Sequence, residues 1–442
     1  MATYSSIDIR SELVNLFPDA LLRRLARECG AVMRSRKIDP VTLFWTLVLG
    51  FGLSDERSFA QLRQRYQLAA GRSIAASSFQ ERFTPKLARL FRHCLERALQ
   101  ESLGGAQALK GPLAGFRDVV LADATIVRLH WLLEKAFPAC RTNHTRAAAK
   151  LHVVMNICGV SKQLVQLTDE RTSDNKRLQI GPWVRGKLLL FDLGYYDFRL
   201  FACMGNNGSY FLSRLKRNAN PRITAVYRTH RGRAIPLVGR TLQEVLPWLQ
   251  REILDAEVEV SYRKRPYRGQ QRTATLRLRL VGIRDGQSGE YHLYLTNVPV
   301  KQLPAKDLQT TYALRWEIEL LFKELKSNYR LDQLPSRRQE VVETFLYVAI
   351  LSLVVSRRLL QAVRQALPEH QAERFKTQRF ARLLAELSGQ LLLVLLAPAR
   401  ETRWLRQQLA TTLLNEAVDP NKHRNSLLQN VEQGVLPYAP KA

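Results

Sequence analysis

Residues 312–326 read Y-A-L-R-W-E-I-E-L-L-F-K-E-L-K, and such a stretch can enter a fold in few ways. It contains no Gly or Pro and is rich in Leu, Glu and Lys, which predicts a helix. Successive residues then turn by about 100°. With Tyr312 at zero, Glu319 falls at about −20°, Lys326 at about −40°, Arg315 at about −60° and Lys323 at about +20°. Leu314, Ile318, Leu321, Phe322 and Leu325 cover roughly 180–280°, a stripe that must face a core. Glu317 and Glu324 project at about 140° and 120°, away from the Tyr312 edge. One carboxylate of three therefore stands among a phenol and cations beside a buried face. Such an edge suits phosphate and metal chemistry. It equally suits an amphipathic helix with an internal ion pair, because Arg315 and Glu319 are spaced i,i+4.

Two apolar runs upstream each end in an aspartate. Residues 118–129, D-V-V-L-A-D-A-T-I-V-R-L, read as a buried strand holding Asp123. A carboxylate in such a strand is costly unless it is paired or binds metal. Residues 187–197, K-L-L-L-F-D-L-G-Y-Y-D, run through four apolar residues into Asp192, and Gly194 then supplies a turn. Asp118 and Asp197, at the mouth of one strand and past the turn of the other, read as cap or turn residues.

The spacing Tyr, two residues, Arg, three residues, Glu, six residues, Lys resembles the signature of the insertion-sequence family 4 transposases. All four positions are filled, by Tyr312, Arg315, Glu319 and Lys326. The family pattern around its second aspartate, Asp, one residue, Gly, Tyr, is matched by Asp192, Gly194 and Tyr195. The resemblance spans roughly residues 110–350. It implies an Asp-Asp-Glu triad of Asp123, Asp192 and Glu319 on an α/β, ribonuclease H-like mixed-sheet core. It further implies two Mg²⁺ ions, for which Mn²⁺ substitutes, with Tyr312, Arg315, Lys323 and Lys326 contacting DNA.

The remaining core segments fit that expectation. Residues 149–158 and 162–171 read as strands joined by Gly159-Val160-Ser161, short enough for a hairpin, and residues 210–217 as a further strand. Three antiparallel strands followed by strands with helical crossovers predict a mixed sheet. His152 reads as a structural strand residue. The family carries a β-rich insertion before its Glu. Here residues 255–264 and 273–281 alternate apolar with polar around Pro266 and Gly269, which predicts a hairpin. Arg263, Lys264, Arg265, Arg268, Arg272, Arg277 and Arg279 make it basic, and residues 291–298 form a strand beyond it.

The formal charge of +29 in 442 residues suits a polyanionic partner. The apolar stretches 345–355 and 391–396 are too short to span a bilayer, and no signal segment opens the chain. Five cysteines, none closely spaced, indicate neither a disulfide framework nor a zinc site. The predicted organisation is a helical DNA-binding region over 1–108, core over 109–218, β-rich insertion over 219–300, core with the signature helix over 301–350, and a helical region with a mobile tail over 351–442. Gly104, Gly105, Gly111 and Pro112 mark the first boundary, and residues 58–83 fit either a helix-turn-helix or an ordinary helical hairpin.

By resemblance the protein nicks DNA at the terminal inverted repeats of its element, and the freed 3′-hydroxyl attacks again, in some members through a hairpin, before joining to target DNA. Two ends require two active sites, so a homodimer in a synaptic complex is implied, in the bacterial cytoplasm and on the nucleoid. Two other readings stay open on the residues: a non-transposing nuclease on the same fold, and a DNA-binding protein without catalysis.

Overall fold

The computed structural model describes residues 8–32, 38–53, 57–101, 108–140, 145–158, 164–227, 236–264, 270–334, 336–398, 400–419 and 426–435. Gly104, Gly105, the Gly159-Val160-Ser161 connection, Arg265, Pro266, Arg268 and Gly269 lie outside them. Nine strands form one sheet: β1 (Val119–Leu129), β2 (Ala147–Asn156), β3 (Leu164–Asp169), β4 (Leu188–Phe191), β5 (Tyr210–Arg214), β6 (Arg222–Val226), β7 (Ile253–Arg263), β8 (Thr273–Arg284) and β9 (Tyr291–Thr296). Their order is β3-β2-β1-β4-β5-β9-β8-β7-β6. The first three are antiparallel, whereas β4 runs parallel to β1 and β5 parallel to β4. The helix Phe198–Asn206 supplies the crossover from β4 to β5. The β-rich insertion continues the same sheet, because β9 pairs with both β5 and β8.

Alternation along the strands sorts side chains between two apolar layers. Val119, Leu121, Leu188 and Leu190 join one layer with the helices. Val120, Ala122, Leu189 and Phe191 join the other with Phe201, Phe211 and the insertion. The helix Gln339–Gln365 runs through the first layer. Its 27 residues are long and apolar enough to cross a membrane, more than the 345–355 run suggested, but 72% of its most apolar window is buried within the protein. It packs there as a core helix. Phe345 stacks on Phe51 at 3.7 Å, and the Ser352 hydroxyl donates to the Val48 carbonyl at 2.7 Å. The Ser352 side chain packs so closely on the backbone there that a β-carbon on Gly52 would lie 1.6 Å from its Oγ.

The single helix expected over 312–326 is two, Ala305–Ala313 and Trp316–Ser327. Leu314 and Arg315 bond three residues back, to Thr311 and Tyr312, and keep right-handed backbone angles. The break is thus one tightened turn, not a change of direction. At the other end of the chain, residues 427–432 form a helix, where a mobile tail was expected from Asp419. The Glu432 carboxylate accepts from the Lys110 amide at 3.1 Å, docking this helix beside the start of the core. In the N-terminal region the helix Phe59–Ala70 ends on left-handed Gly71, and the next helix, Ala76–Gln80, has five residues with Phe79 buried.

Candidate active site

The alternation that builds the core also sets the site. Asp123 continues the Val119, Leu121 face of β1, and Asp192 continues the Leu188, Leu190 face of β4. In the parallel pair Ala122 is level with Phe191, so the two aspartates follow at one level, where β4 stops and β1 runs on. Both lie on the sheet face where the helix Trp316–Ser327 packs against β1. Asp118 and Asp197 are the structural acids expected. Asp118 accepts from the amides of Val119 (2.8 Å) and Cys158 (3.0 Å), and Asp197 caps the helix Phe198–Asn206.

Burial, joined by the nearby charges of Asp192 and Glu319, pushes the Asp123 carboxyl up to about 6, against the pull of Arg315 and of the Ala124 amide at 2.7 Å. Asp123 therefore lies within reach of the charges of both Asp192 and Glu319, where β4 ends in the middle of the sheet. Glu319 is half-buried and engaged by Arg315 Nη1 at 2.5 Å. Among the described residues no three Asp, Glu, His or Cys side chains are drawn close enough to enclose an ion. The donor set nonetheless fits a hard divalent cation. It is all carboxylate oxygen, and its mutual repulsion is the kind a cation relieves.

Tyr312 is 5% exposed. Its hydroxyl donates to the Phe191 carbonyl at 3.3 Å, one residue before Asp192, and its ring meets Tyr294 edge-on at 5.4 Å. The guanidinium groups of Arg214 and Arg315 each lie 5.7 Å from that ring. Arg315 is itself mostly buried, and its Nε has no hydrogen-bond partner. Of the two lysines on the polar stripe, Lys323 is exposed and Lys326 half-buried. Sequence reasoning missed Arg214 and Tyr294, whose only signal was their place in β5, the strand beside β4, and in β9, the strand beyond it.

The back of the same helix is not a neutral surface. Glu324 is 2% exposed and accepts from Arg357 Nη2 at 2.5 Å, while burial raises both Glu324 and Glu317 above the usual carboxylate range. A second missed cluster lies under the turn after Asp192. Asp174 pairs with Lys150 Nζ at 2.8 Å and faces His152 Nδ1 at 3.4 Å. His152 Nε2 meets Thr168 Oγ1 at 2.8 Å, and burial pushes the imidazole down to about 4, so it is neutral and structural. A β-carbon on Gly194 would approach Asp174 to 3.1 Å, which places this cluster directly against the turn.

The basic hairpin divides in two. Arg279 is 4% exposed, forks onto Asp255 at 2.8 and 2.7 Å, and donates to the carbonyls of Val298 and Leu303. It is a core residue, not part of a basic surface, and Arg277 lies 3.8 Å from Glu259. The missed signal was the row of acids, Asp255, Glu257 and Glu259, alternating along the partner strand. Arg263, Lys264 and Arg272 remain exposed near the tip. Arg263 and Lys264 line a cleft of about 610 Å³ with Tyr196, Phe198, Lys216 and Tyr262, opening between the hairpin and the turn after Asp192.

A family model described as "Transposase DDE domain" matches residues 114–355, more than half of the chain. The transposase for insertion sequence element IS231F of Bacillus thuringiensis subsp. israelensis is 22% identical over 384 residues, covering 80% of each chain. That for IS231D of Bacillus thuringiensis subsp. finitimus is 21% identical over 389 residues, again covering 80% of each.

Proposed function

The chain belongs to the transposases with a DDE domain, and from that premise we propose that Asp123, Asp192 and Glu319 are the carboxylates that give the domain its name. As an insertion-sequence transposase it cuts and joins DNA, and its domain implies binding at element ends and dependence on a divalent cation. The observation that supports the residue assignment is that Asp123 and Asp192 stand level on one face of the parallel pair β1 and β4, with Asp123 raised to about 6 by burial and by the charges of Asp192 and Glu319. These residues would hold two Mg²⁺ ions, with Mn²⁺ as a substitute; bound there, the metal activates the attacking oxygen and stabilises the leaving one.

The protein's own groups do the remaining work. In the first step water attacks phosphorus at the element end, the bond to the element's 3′-oxygen breaks, and that oxygen leaves as a hydroxyl. In the second, that hydroxyl attacks a target phosphorus and releases a target 3′-hydroxyl. Arg315 holds Glu319 and supplies positive charge beside the reacting phosphate; Lys323 and Lys326 extend that charge along the helix. Tyr312, buried, acts from behind by tying Arg315 to the end of β4. The cleft lined by Tyr196, Phe198, Lys216, Tyr262, Arg263 and Lys264 has the mixture of cations and aromatic rings that a DNA strand needs. Residues 1–108 bind the element ends, two copies act together because two ends must be cut, and the protein works in the bacterial cytoplasm on the nucleoid.

The test is a labelled element end incubated with Mg²⁺, with nicked, hairpin and joined products resolved on a denaturing gel. Asp123→Ala, Asp192→Ala and Glu319→Ala should each abolish cleavage and leave end binding largely intact, because affinity rests on basic contacts. Arg315→Ala, which releases Glu319, should weaken every step, whereas Lys326→Ala should spare much of the first nick and impair the later steps. Wild-type cleavage by any one triad variant would remove that residue from the site.

A further inference from the structure

The helix that carries Glu319 ends in a strained turn gripped from the far end of the chain. Arg330 has φ 46°, the one non-glycine residue in the left-handed region among those described. A β-carbon crowds the neighbouring carbonyl there, so other residues rarely adopt it unless something holds them. The holder is Arg57. Its guanidinium donates to the carbonyl of Tyr329 at 2.7 Å and of Arg330 at 2.8 Å. A third bond, at 3.4 Å, reaches the Gly52 carbonyl, and the cation sits 4.6 Å over the Phe51 ring. Arg57 is 8% exposed, and Phe51 stacks on Phe345 of the long core helix.

A cation bridging carbonyls just past a helix C-terminus satisfies acceptors that the helix leaves open and opposes its dipole. Here it also fixes where the helix stops. The Asn328 amide bonds back to Glu324, the Leu331 amide to Leu325, and the chain leaves through Arg330. Slippage or fraying of this end would move Lys326 and Lys323 first and then, less than three turns away, Glu319.

We propose that Arg57 is a positioning residue for the catalytic helix: by fastening Tyr329 and Arg330 it holds the helix at the height and rotation that bring Glu319 to Asp123 and Asp192. The proposal rests on the reading of Glu319 as a metal ligand. It makes the N-terminal helices part of the active-site scaffold, although Arg57 touches no reacting group.

The experiment uses the full chain as Arg57→Ala, Arg57→Lys, Arg330→Gly, and Arg57→Ala combined with Arg330→Gly. Three quantities are measured: hydrogen exchange across residues 316–331, Mn²⁺ binding to the DNA-free protein by electron paramagnetic resonance, and the Mg²⁺ dependence of end cleavage. Arg57→Ala should raise exchange at the C-terminal half of the helix. It should weaken Mn²⁺ binding by about 10–100-fold, the usual cost of losing a group that orients metal ligands, and leave end binding intact. Arg57→Lys should behave similarly, because an ammonium lacks the planar fork that spans two carbonyls. Arg330→Gly alone should be near wild type, and in the Arg57→Ala background it should restore much of the Mn²⁺ affinity, because glycine holds the left-handed turn unaided.

Wild-type exchange and Mn²⁺ affinity in Arg57→Ala would overturn the proposal. So would a loss that Arg330→Gly does not relieve, which would make Arg57 a packing group on Phe51. Failure of every Arg57 variant to fold, with or without Gly at 330, would make it a folding residue and also overturn the assignment. A Glu319→Ala protein that binds Mn²⁺ and cleaves like wild type would instead sink the reading of Glu319.

Discussion

Asp123 should cost the metal-free protein stability at neutral pH, and the structure sets the size of that cost. Its carboxyl is raised from 3.8 to about 6, first by burial and then by Asp192 and Glu319. A shift of that extent corresponds to about 3 kcal/mol at 1.36 kcal/mol per pH unit, and partial hydration of the sheet edge reduces it to about 2 kcal/mol. The sign follows from proton linkage. Below about pH 3.8 the group is protonated in both folded and unfolded chains and contributes nothing. As pH rises to about 6 the unfolded chain releases the proton more readily, so folding stability falls. Above about 6 the penalty is complete and constant.

Asp123→Asn should therefore stabilise the protein in EDTA at about pH 7.5, where the amide replaces a charge and can still accept from the Ala124 amide. For a chain this long the gain amounts to roughly 2–4 °C in the midpoint of thermal unfolding by scanning calorimetry. The gain should shrink towards zero as pH is lowered to about 4. Added Mn²⁺ should raise the wild-type midpoint and leave that of Asp123→Asn nearly unchanged. A variant no more stable than wild type at about pH 7.5, or equally favoured at about pH 4, would refute the reasoning.

Two further outcomes follow from the hairpin. Replacing Arg263, Lys264 and Arg272 together by Gln should weaken end binding and lower the slope of log K against log salt by up to about 3, read by titration between about 50 and 200 mM salt; an unchanged slope would show that the tip does not meet phosphate. Arg279→Ala should cost about 3–5 kcal/mol, because it strands the buried Asp255 carboxylate, whereas an apolar pair at both positions should recover most of the loss in urea unfolding.

What was legible in the sequence was what local spacing encodes. Apolar runs leading into an aspartate marked Asp123 and Asp192, and a near-helical period put Tyr312, Arg315 and Glu319 on one edge, even though a tightened turn interrupts the helix there. Angles on a wheel say which way a side chain points and not what it meets. Glu317 and Glu324 point away from the site as drawn, but away from the site is the interior, and the partner of Glu324 is Arg357, 33 residues further on. Arg57 grips carbonyls 272 and 273 residues distant, a pairing no local pattern carries.

The same limit governs the charge. A formal +29 counts Arg57, Arg279 and Arg315 alike with Arg263 and Lys264, although the first three are spent inside the protein. Each is buried or nearly so because its planar, weakly hydrated fork can satisfy two oxygens at once or lie on an aromatic ring. The phosphate-binding surface is therefore smaller than the composition implies. We propose that phosphate is met at the hairpin tip, in the cleft beside it and at Lys323 and Lys326, where cations are exposed or half-buried. On this view Arg57 and Arg315 set the geometry of the site, Arg279 the stability of the insertion, and the exposed cations the affinity, so substitutions at Arg57 and Arg315 should act on metal use and those at the exposed cations on salt dependence.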